Sequence, residues 1–435
     1  MWWKLIMCVC LPLVNGRRSQ CYWNNKNPYT YFGSKTPYEA VRGDFRDVPP
    51  IKGCEPVNVW FITRHGTRHP SPMDAAAMKE ASALKDKIIN SHKEGRGEMC
   101  AQDVSDLQNW KWNNLENNPS ILTQEGFIEL LAFGQRFREK YSSFLDNLNQ
   151  SRIRSTDEKR TRKSSKGFIK GLEDFGANVF VDDPIREDAV ARPYRFCKKR
   201  GGEVINSTLA SDEIRRYQET AEFKELQKNV QERIGSEEVL LPRTIMAIYD
   251  LCRFYRAYSV VKRSPWCALF TDHELKILEY VEDIKHYFRN GYGHPMNRLL
   301  GASGLKDLYE RFEATVSSGH KSFIGYFSHD TMLDMIYTAL GLYYDYPEIS
   351  GLERIKNRKW RTSFLTPFVA NFVAVLHRCT KMSTLKYRIQ FFVNEKEVHI
   401  CGNRVCGWYG FREKFQQFAN ASIDFCNEST TLYYV

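Results

Sequence analysis

Val57-Asn58-Val59-Trp60-Phe61-Ile62-Thr63-Arg64-His65-Gly66-Thr67-Arg68-His69-Pro70 is the stretch on which the reading of this chain turns. Val57 to Ile62 is β-branched and aromatic, the composition of a buried strand. The residues from Arg64 to His69 then bring together two arginines, two histidines and a glycine. A strand ending in such a turn presents those side chains at its carboxyl edge, where open α/β sheets bind ligands. Gly66 lets the backbone pass close to a ligand, and Pro70 stops regular structure from continuing. Arg64 and Arg68 offer forked donors matched to phosphate oxygens. His65, between them, can attack phosphorus as a neutral imidazole and form a phosphohistidine. A basic surface turn touching nucleic acid or solvent would account for Arg-His-Gly alone. It accounts poorly for Arg-His-Gly-x-Arg-x-Pro directly after an apolar strand.

The totals agree with a globular, anion-handling protein. At 435 residues the chain can bury a large core, and its length suggests about two to three domains. The 42% apolar and 26% charged fractions are ordinary for a folded protein. A formal net charge of +11 suits an anionic partner: nucleic acid, a membrane surface or a phosphorylated small molecule. No arginine-rich tail, zinc-finger spacing or aromatic RNA-binding motif appears, which sets nucleic acid aside.

The N-terminus, Met1 to Gly16, carries one lysine and a short apolar run, as a secretory signal does, and is too short for an integral membrane span. Residues 1–20 are therefore read as a signal peptide. Setting aside Cys8 and Cys10 leaves ten of the twelve cysteines, scattered and without a metal-type Cys-x-x-Cys pair, which argues for disulfides. Cys401 and Cys406 can close a small loop; the remaining pairings stay open. Sequons at Asn149, Asn206, Asn420 and Asn427 add weight to a secretory route.

Taken in order, residues 21–56 read as an irregular arm rich in Asn, Tyr, Pro and Gly. Met73 to Lys93 has helical spacing, and 95–118 reads as a polar surface excursion bearing tryptophans. Thr123 is a candidate N-cap for a helix with Phe127, Leu130, Leu131, Phe137 and Tyr141 on one face. Ser151 to Thr156 reads as a second strand, with Arg160 near a strand-to-helix junction and Phe168, Ile169, Leu172 and Phe175 as the stripe that follows. Residues 183–298 are mainly helical and include an amphipathic helix over Asp272 to Phe288. Ser322 to Phe327 is a third strand, ending in Ser328-His329-Asp330-Thr331 ahead of a helix closed by Gly341. His329 alone is more often structural. At a strand end, followed at once by an acid and a helix N-terminus, it becomes a candidate for an anion site. Phe364 to Leu376 and Tyr387 to Val393 read as neighbouring strands, with a turn over Asn394 to Glu397.

Arg64-His65-Gly66-Thr67-Arg68-His69-Pro70 resembles the signature of the histidine phosphatases, in their acid phosphatase and phytase branch. The surrounding chain is closest in pattern to the multiple inositol polyphosphate phosphatases. Tyr31 to Tyr38, Lys262 to Cys267, Asn290 to Gly293, Pro367 to Asn371 and Val393 to Lys396 carry that resemblance, as does Leu122-Thr123-Gln124-Glu125-Gly126. It implies an α/β fold, a sheet flanked by helices, formed by residues 21–182 and 299–435. Residues 183–298 would then be an inserted helical cap domain. It also implies a phosphomonoester hydrolase acting on inositol polyphosphates, with 2,3-bisphosphoglycerate as a second substrate. A broad-specificity secreted acid phosphatase and a non-catalytic secreted anion-binding protein are the alternatives.

By the same resemblance His65 is the nucleophile, and Arg64, Arg68, Arg160 and His329 hold the phosphate. Lys35 is a candidate for outlying phosphates, although a plain surface lysine reads equally well. No cofactor and no metal are implied, the arginines standing where a cation would. One departure is informative. The inositol polyphosphate phosphatases carry His-Ala-Glu where this chain has His329-Asp330-Thr331, so the glutamate position holds a threonine. His-Asp is the pair of the acid phosphatases and many phytases, which makes Asp330 the candidate proton donor, with Glu39 and Asp334 in reserve. The end of the chain, Thr430 to Val435, has no Lys-Asp-Glu-Leu-type retrieval signal, so the expected location is secreted or the secretory-pathway lumen. The mature protein is expected to begin between Asn15 and Cys21, to lack free thiols and to shift in size on deglycosylation. N-terminal sequencing that finds Met1 retained, together with reduced cysteines, contradicts this.

Overall fold

The computed structural model describes residues 21, 30–148, 151–173, 178–258, 264–380 and 387–427. The signal-peptide reading, the Asn149 sequon, Lys262-Arg263 and the C-terminal residues fall outside them. One sheet organises the chain. Its strands are β1 (Cys54–Arg64), β2 (Ser151–Ser155), β3 (Val179–Asp182), β4 (Ser322–Ser328), β5 (Asn371–Cys379), β6 (Tyr387–Val393), β7 (Lys396–Val398) and β8 (Cys406–Gly407). The spatial order is β3-β2-β4-β1-β5-β6-β7, with β8 paired to β6. The pairs β3-β2, β2-β4 and β4-β1 are parallel, whereas β5, β6, β7 and β8 add antiparallel strands.

β1 is central because its side chains alternate between two buried faces, as the strand pleat requires. Val59 and Phe61 point into one apolar cluster with Leu130, Phe133, Phe137, Phe168 and Phe327. Trp60 and Ile62 point into the other, with Leu305, Met332, Ile336 and Phe372. The first layer is supplied by α2 (Gln124–Lys140) and α3 (Lys159–Glu173), which come after α1 (Pro72–Ser82). The second contains α4 (Pro242–Ala257), α5 (Asp272–Asn290), α6 (Pro295–Ser318) and α7 (Asp330–Ala339). Each large apolar side chain so buried contributes about 1.5–3 kcal/mol.

Register sets the edge. Arg64 pairs with Ser328 across β1-β4, and Ser155 pairs with Phe327 across β2-β4, so three parallel strands end together. The ten cysteines beyond Cys10 form five disulfides: Cys21–Cys100, Cys54–Cys379, Cys197–Cys426, Cys252–Cys267 and Cys401–Cys406. Among the described residues, no helix is long and apolar enough to cross a membrane. Asn206, Asn420 and Asn427 are exposed.

Several expectations need correction. Phe364 to Leu376 is not one strand. Thr362–Leu365 is a short helix, Pro367 has no N–H for a ladder, Val369 sits at φ 61°, and β5 starts only at Asn371. Residues 95–118 are not a surface excursion, since Met99, Val104, Leu107 and Leu115 are buried and Ala101–Asn109 is helical. Met73 to Lys93 is broken at Ala83 into two helices. α5 buries more than one stripe, taking in Glu279, Glu282, Asp283 and His286 as well as its apolar residues. β3 was not anticipated, its Val179 to Asp182 being too short for a pattern to show.

α2 and α3 cross where each offers a glycine. A Cβ on Gly134 would lie 2.2 Å from the Phe168 carbonyl oxygen, and one on Gly171 would lie 2.3 Å from that of Leu131. Gly171→Val is therefore expected to cost about 1–3 kcal/mol through overpacking against backbone. A denaturant midpoint unchanged from the parent would show that the crossing yields freely.

Candidate active site

β1 delivers Arg64 and His65 to the sheet edge already fixed. The Arg64 backbone N–H donates to the Ala370 carbonyl at 2.8 Å, and the His65 N–H to that of Ser328 at 3.1 Å. The Arg64 guanidinium is 1% exposed and bonds the Ser34 and Thr366 carbonyls. Its carbon lies 4.6 Å from the centre of the Phe368 ring, and Nη2 lies 2.9 Å from Asp330 Oδ2. The buried His65 ring has Nδ1 2.9 Å from the Gly66 carbonyl oxygen. A carbonyl only accepts, so Nδ1 carries the proton and Nε2 presents its lone pair. Burial first, then the charges of Arg160 and Arg64, push His65 well below the ordinary histidine range.

The turn after His65 is held from two helices. Gly66 N–H donates to Ser164 Oγ of α3 at 3.1 Å. Thr67 donates to Glu129 of α2 twice, from N–H at 2.9 Å and from Oγ1 at 3.0 Å. Thr123 returns two bonds to the Thr67 carbonyl, from N–H at 2.9 Å and Oγ1 at 3.0 Å, while that Oγ1 also caps α2 by accepting from Gly126 N–H. The contact admits no side chain: a Cβ on Gly66 would sit 2.2 Å from the Gly126 carbonyl oxygen, and one on Gly126 2.2 Å from that of Thr67. Arg68 follows, donating to the His69 carbonyl at 2.7 Å.

β2 and β4 contribute the second half. Arg160, in the first turn of α3, pairs with Glu158 and reaches His329 Nδ1 at 3.2 Å. Arginine only donates, so His329 Nδ1 is unprotonated and its Nε2–H faces Thr156 Oγ1 at 3.2 Å. Burial, then Arg160 and Arg192, keep His329 well below the ordinary range. The His65 and His329 ring centres are 5.6 Å apart. Asp330 opens α7, where its Oδ1 accepts from the Thr331 N–H at 2.9 Å, and its side chain is 22% exposed. Burial works to raise its carboxyl, but Arg64 and further positive groups outweigh it and hold Asp330 well below the usual carboxylate range.

Lys35 is not a surface lysine. It is buried, bonded to Ser34 Oγ at 3.0 Å and 3.8 Å from Glu282, and burial lowers it to about 8. Its charge acts on Asp330, and that of Arg68 acts on it. The reserve acids are engaged otherwise. Glu39 is exposed and pairs with Arg42 at 2.7 Å. Asp334 is fully buried and accepts from His286 Nδ1 at 2.7 Å and Asn290 Nδ2 at 3.1 Å. Sequence reasoning missed Glu129 and His286. Glu129 lay three residues past a recognised motif, and burial raises it to about 7. His286 lies inside the expected amphipathic helix, with no motif around it to single it out. Among the described residues the only grouping of possible metal ligands is Cys21, Cys100 and Asp103, whose two sulfurs are joined in a disulfide.

The arrangement can therefore offer a neutral nucleophilic nitrogen inside a ring of guanidinium groups, beside one carboxyl. Comparison with known proteins gives the family. Multiple inositol polyphosphate phosphatase 1 of Drosophila melanogaster is 29% identical over 96% of this chain and 92% of its own length. The Homo sapiens protein of the same name is 25% identical over 84% of this chain and 81% of its own. In fold, the chain resembles the phytase from D. castellii, with a TM-score of 0.74 at 17% identity, covering 92% and 88% of the two chains. It also resembles the Bifidobacterium longum multiple inositol polyphosphate phosphatase crystallised with inositol hexasulfate, with a TM-score of 0.64 at 14% identity, covering 85% and 92%. Residues 57–394 match the histidine phosphatase superfamily (branch 2), from the first sheet strand to the Asn394 turn, and the chain belongs to that family.

Proposed function

We propose that this protein removes phosphate from inositol polyphosphates through a phosphohistidine on His65. The observation that carries the reading is the His65 ring itself, its Nδ1–H tied to the Gly66 carbonyl and its Nε2 left as a lone pair among Arg64, Arg68 and Arg160. His65 Nε2 attacks phosphorus in line, and the P–O bond to the alcohol breaks as the P–N bond forms. Arg64, Arg68, Arg160 and His329 hold the equatorial oxygens and offset charge in the transition state. His329 Nδ1 carries no proton in the free site, so it holds a phosphate oxygen by taking up a proton as Arg160 turns to the phosphate, whose negative charge favours the imidazolium. Asp330 protonates the departing alcohol, then takes a proton from the water that attacks phosphorus and breaks the P–N bond.

Asp330 is an ionised partner of Arg64 before substrate arrives. A bound phosphate draws Arg64 to itself and adds negative charge nearby. Both effects raise the Asp330 carboxyl toward protonation. Lys35 supports the polyphosphate substrate class, being a buried cation whose charge acts on Asp330 and is felt together with that of Arg68. Residues 183–298 are read as a cap over this edge, since α5 brings His286 and Glu282 to Asp334 and Lys35. The exposed sequons and five disulfides support secretion or residence in the secretory lumen. The His329-Asp330-Thr331 triplet favours a second reading, a broad acid phosphatase. Competition by inositol hexakisphosphate against p-nitrophenyl phosphate separates the two, and 2,3-bisphosphoglycerate belongs in the same panel.

His65→Ala is expected to reduce turnover roughly a thousandfold or more while leaving the melting temperature near that of the parent. Activity within tenfold of the parent would rule out the covalent route. Asp330→Asn is expected to slow alkyl phosphate esters by about 10²–10⁴-fold and p-nitrophenyl phosphate much less, because nitrophenolate leaves without a proton. Equal losses on both would move Asp330 into binding.

The pH dependence follows from the same groups. His65 stays neutral well below 6.5, so kcat should persist into acid and decline on the alkaline side, where Asp330 in the substrate complex loses the proton that bound phosphate lets it hold. An unfolded chain accepts protons on His65 and His329 below 6.5 that the native site refuses, so these residues lower stability as pH falls through that value. A melting temperature that rose with acidification over that range would contradict the assignment.

A further inference from the structure

His286 stands outside the phosphate ring yet is built like an oriented base. Its Nδ1 lies 2.7 Å from Asp334 Oδ2, a carboxylate with no solvent exposure that Asn290 Nδ2 also holds at 3.1 Å. That bond puts the proton on Nδ1 whenever the ring is neutral. Nε2 makes no hydrogen bond among the described residues and is not fully buried. The pattern of a buried carboxylate, an imidazole fixed through Nδ1 and an open Nε2 is that of a group made to take and give a proton at one place. Its place is beside the acid. Asp330 and Asp334 are four apart on α7 and so share a helix face, and His286 acts electrostatically on Asp330.

Resting on the phosphohistidine reading above, we infer that His286, held by Asp334 and Asn290, is a proton-relay residue that loads and unloads Asp330. The need for one is geometric. Asp330 rests as a carboxylate 2.9 Å from Arg64, so it must acquire a proton after substrate binds and before the alcohol leaves. His286 protonated at Nε2 gives that proton to an Asp330 oxygen, directly or through one water, and becomes neutral. Asp330 passes it to the departing oxygen as the P–O bond breaks. When water attacks the phosphohistidine, its proton goes to Asp330 and back to Nε2, so the relay ends each cycle as it began. The charged groups facing this pair are Asp330 and Asp334 from α7, Arg64 from β1 and Lys35 from the turn Gly33–Lys35. Glu282 and Lys285, which act on Lys35, come from α5 itself, and His65 at the end of β1 also acts on Asp330.

The test is His286→Asn, which keeps a donor for Asp334 and removes the nitrogen that would relay, with His286→Gln as a second variant should the first fail to fold. On alkyl phosphates kcat is expected to fall about tenfold or more, up to the full general-acid contribution of about 10²–10⁴-fold, at unchanged KM. The loss on p-nitrophenyl phosphate should be far smaller. Added imidazole should restore part of the lost rate in the variant and do nothing for the parent. In an Asp330→Asn background the same substitution should cost nothing further, since the relay has no recipient. A parental rate and pH profile in His286→Asn would overturn the relay, and so would a raised KM with equal losses on both substrates, which marks substrate binding instead. If Asp330→Asn itself showed no leaving-group dependence, the underlying mechanism would be at fault and not the relay alone.

Discussion

The alignment of three parallel strand ends is the constraint on which this protein depends. Arg64 stands opposite Ser328, and Ser155 opposite Phe327, through ladder hydrogen bonds that run the length of the paired strands. A slip of one residue in either pairing would turn every side chain of that strand to the other face. Phe61 and Trp60 would exchange their clusters, so the slip is penalised by the whole core. The site inherits its precision from that penalty. His65, His329 and the Arg160 helix meet because apolar packing far from them fixes where their strands stop.

The second condition is electrostatic. Arg64, Arg160, Lys35 and the two imidazoles sit in a region that takes charge out of water, and burial is the leading influence on each of them. Desolvated cations are unfavourable without partners. The chain answers with backbone carbonyls for Arg64, Glu158 for Arg160, Glu282 for Lys35 and neutrality for the histidines. Charge remains in surplus at the centre, and a phosphate dianion is the ligand that relieves it.

What the sequence revealed and what it hid follow from the range of each interaction. The signature at Arg64 to Pro70, the Thr123 cap and the strand Tyr387 to Val393 are local, written in adjacent residues, and they were legible. The meeting of Arg160 with His329, across 169 positions, was legible only through resemblance, because no local pattern carries a crossing between strands. Glu129 and His286 were hidden for the same reason. A buried carboxyl that holds a loop and an imidazole that holds another carboxyl look, in sequence, like two positions on amphipathic helices. The break before β5 was hidden because Phe364 to Leu376 is mostly apolar, and only the Pro367 to Ala370 turn tells helix from strand.

The backbone contact between Gly66 and Gly126 has a consequence for how this protein can vary. A loop and the first turn of α2, from different parts of the chain, touch main chain to main chain, with no side chain at either position to absorb a change. Substitution at one cannot be answered by a smaller residue at the other, because none is smaller. The pair therefore acts as a single inherited unit. Diversity in substrate range has to come from the rim, at partly exposed residues such as Thr331, where a side chain can be exchanged without moving the backbone beneath the nucleophile. A directed library that randomised the turn from Gly66 to Thr67 would spend most of its members on chains that never seat α2. One that varied the rim would keep the fold in nearly every member.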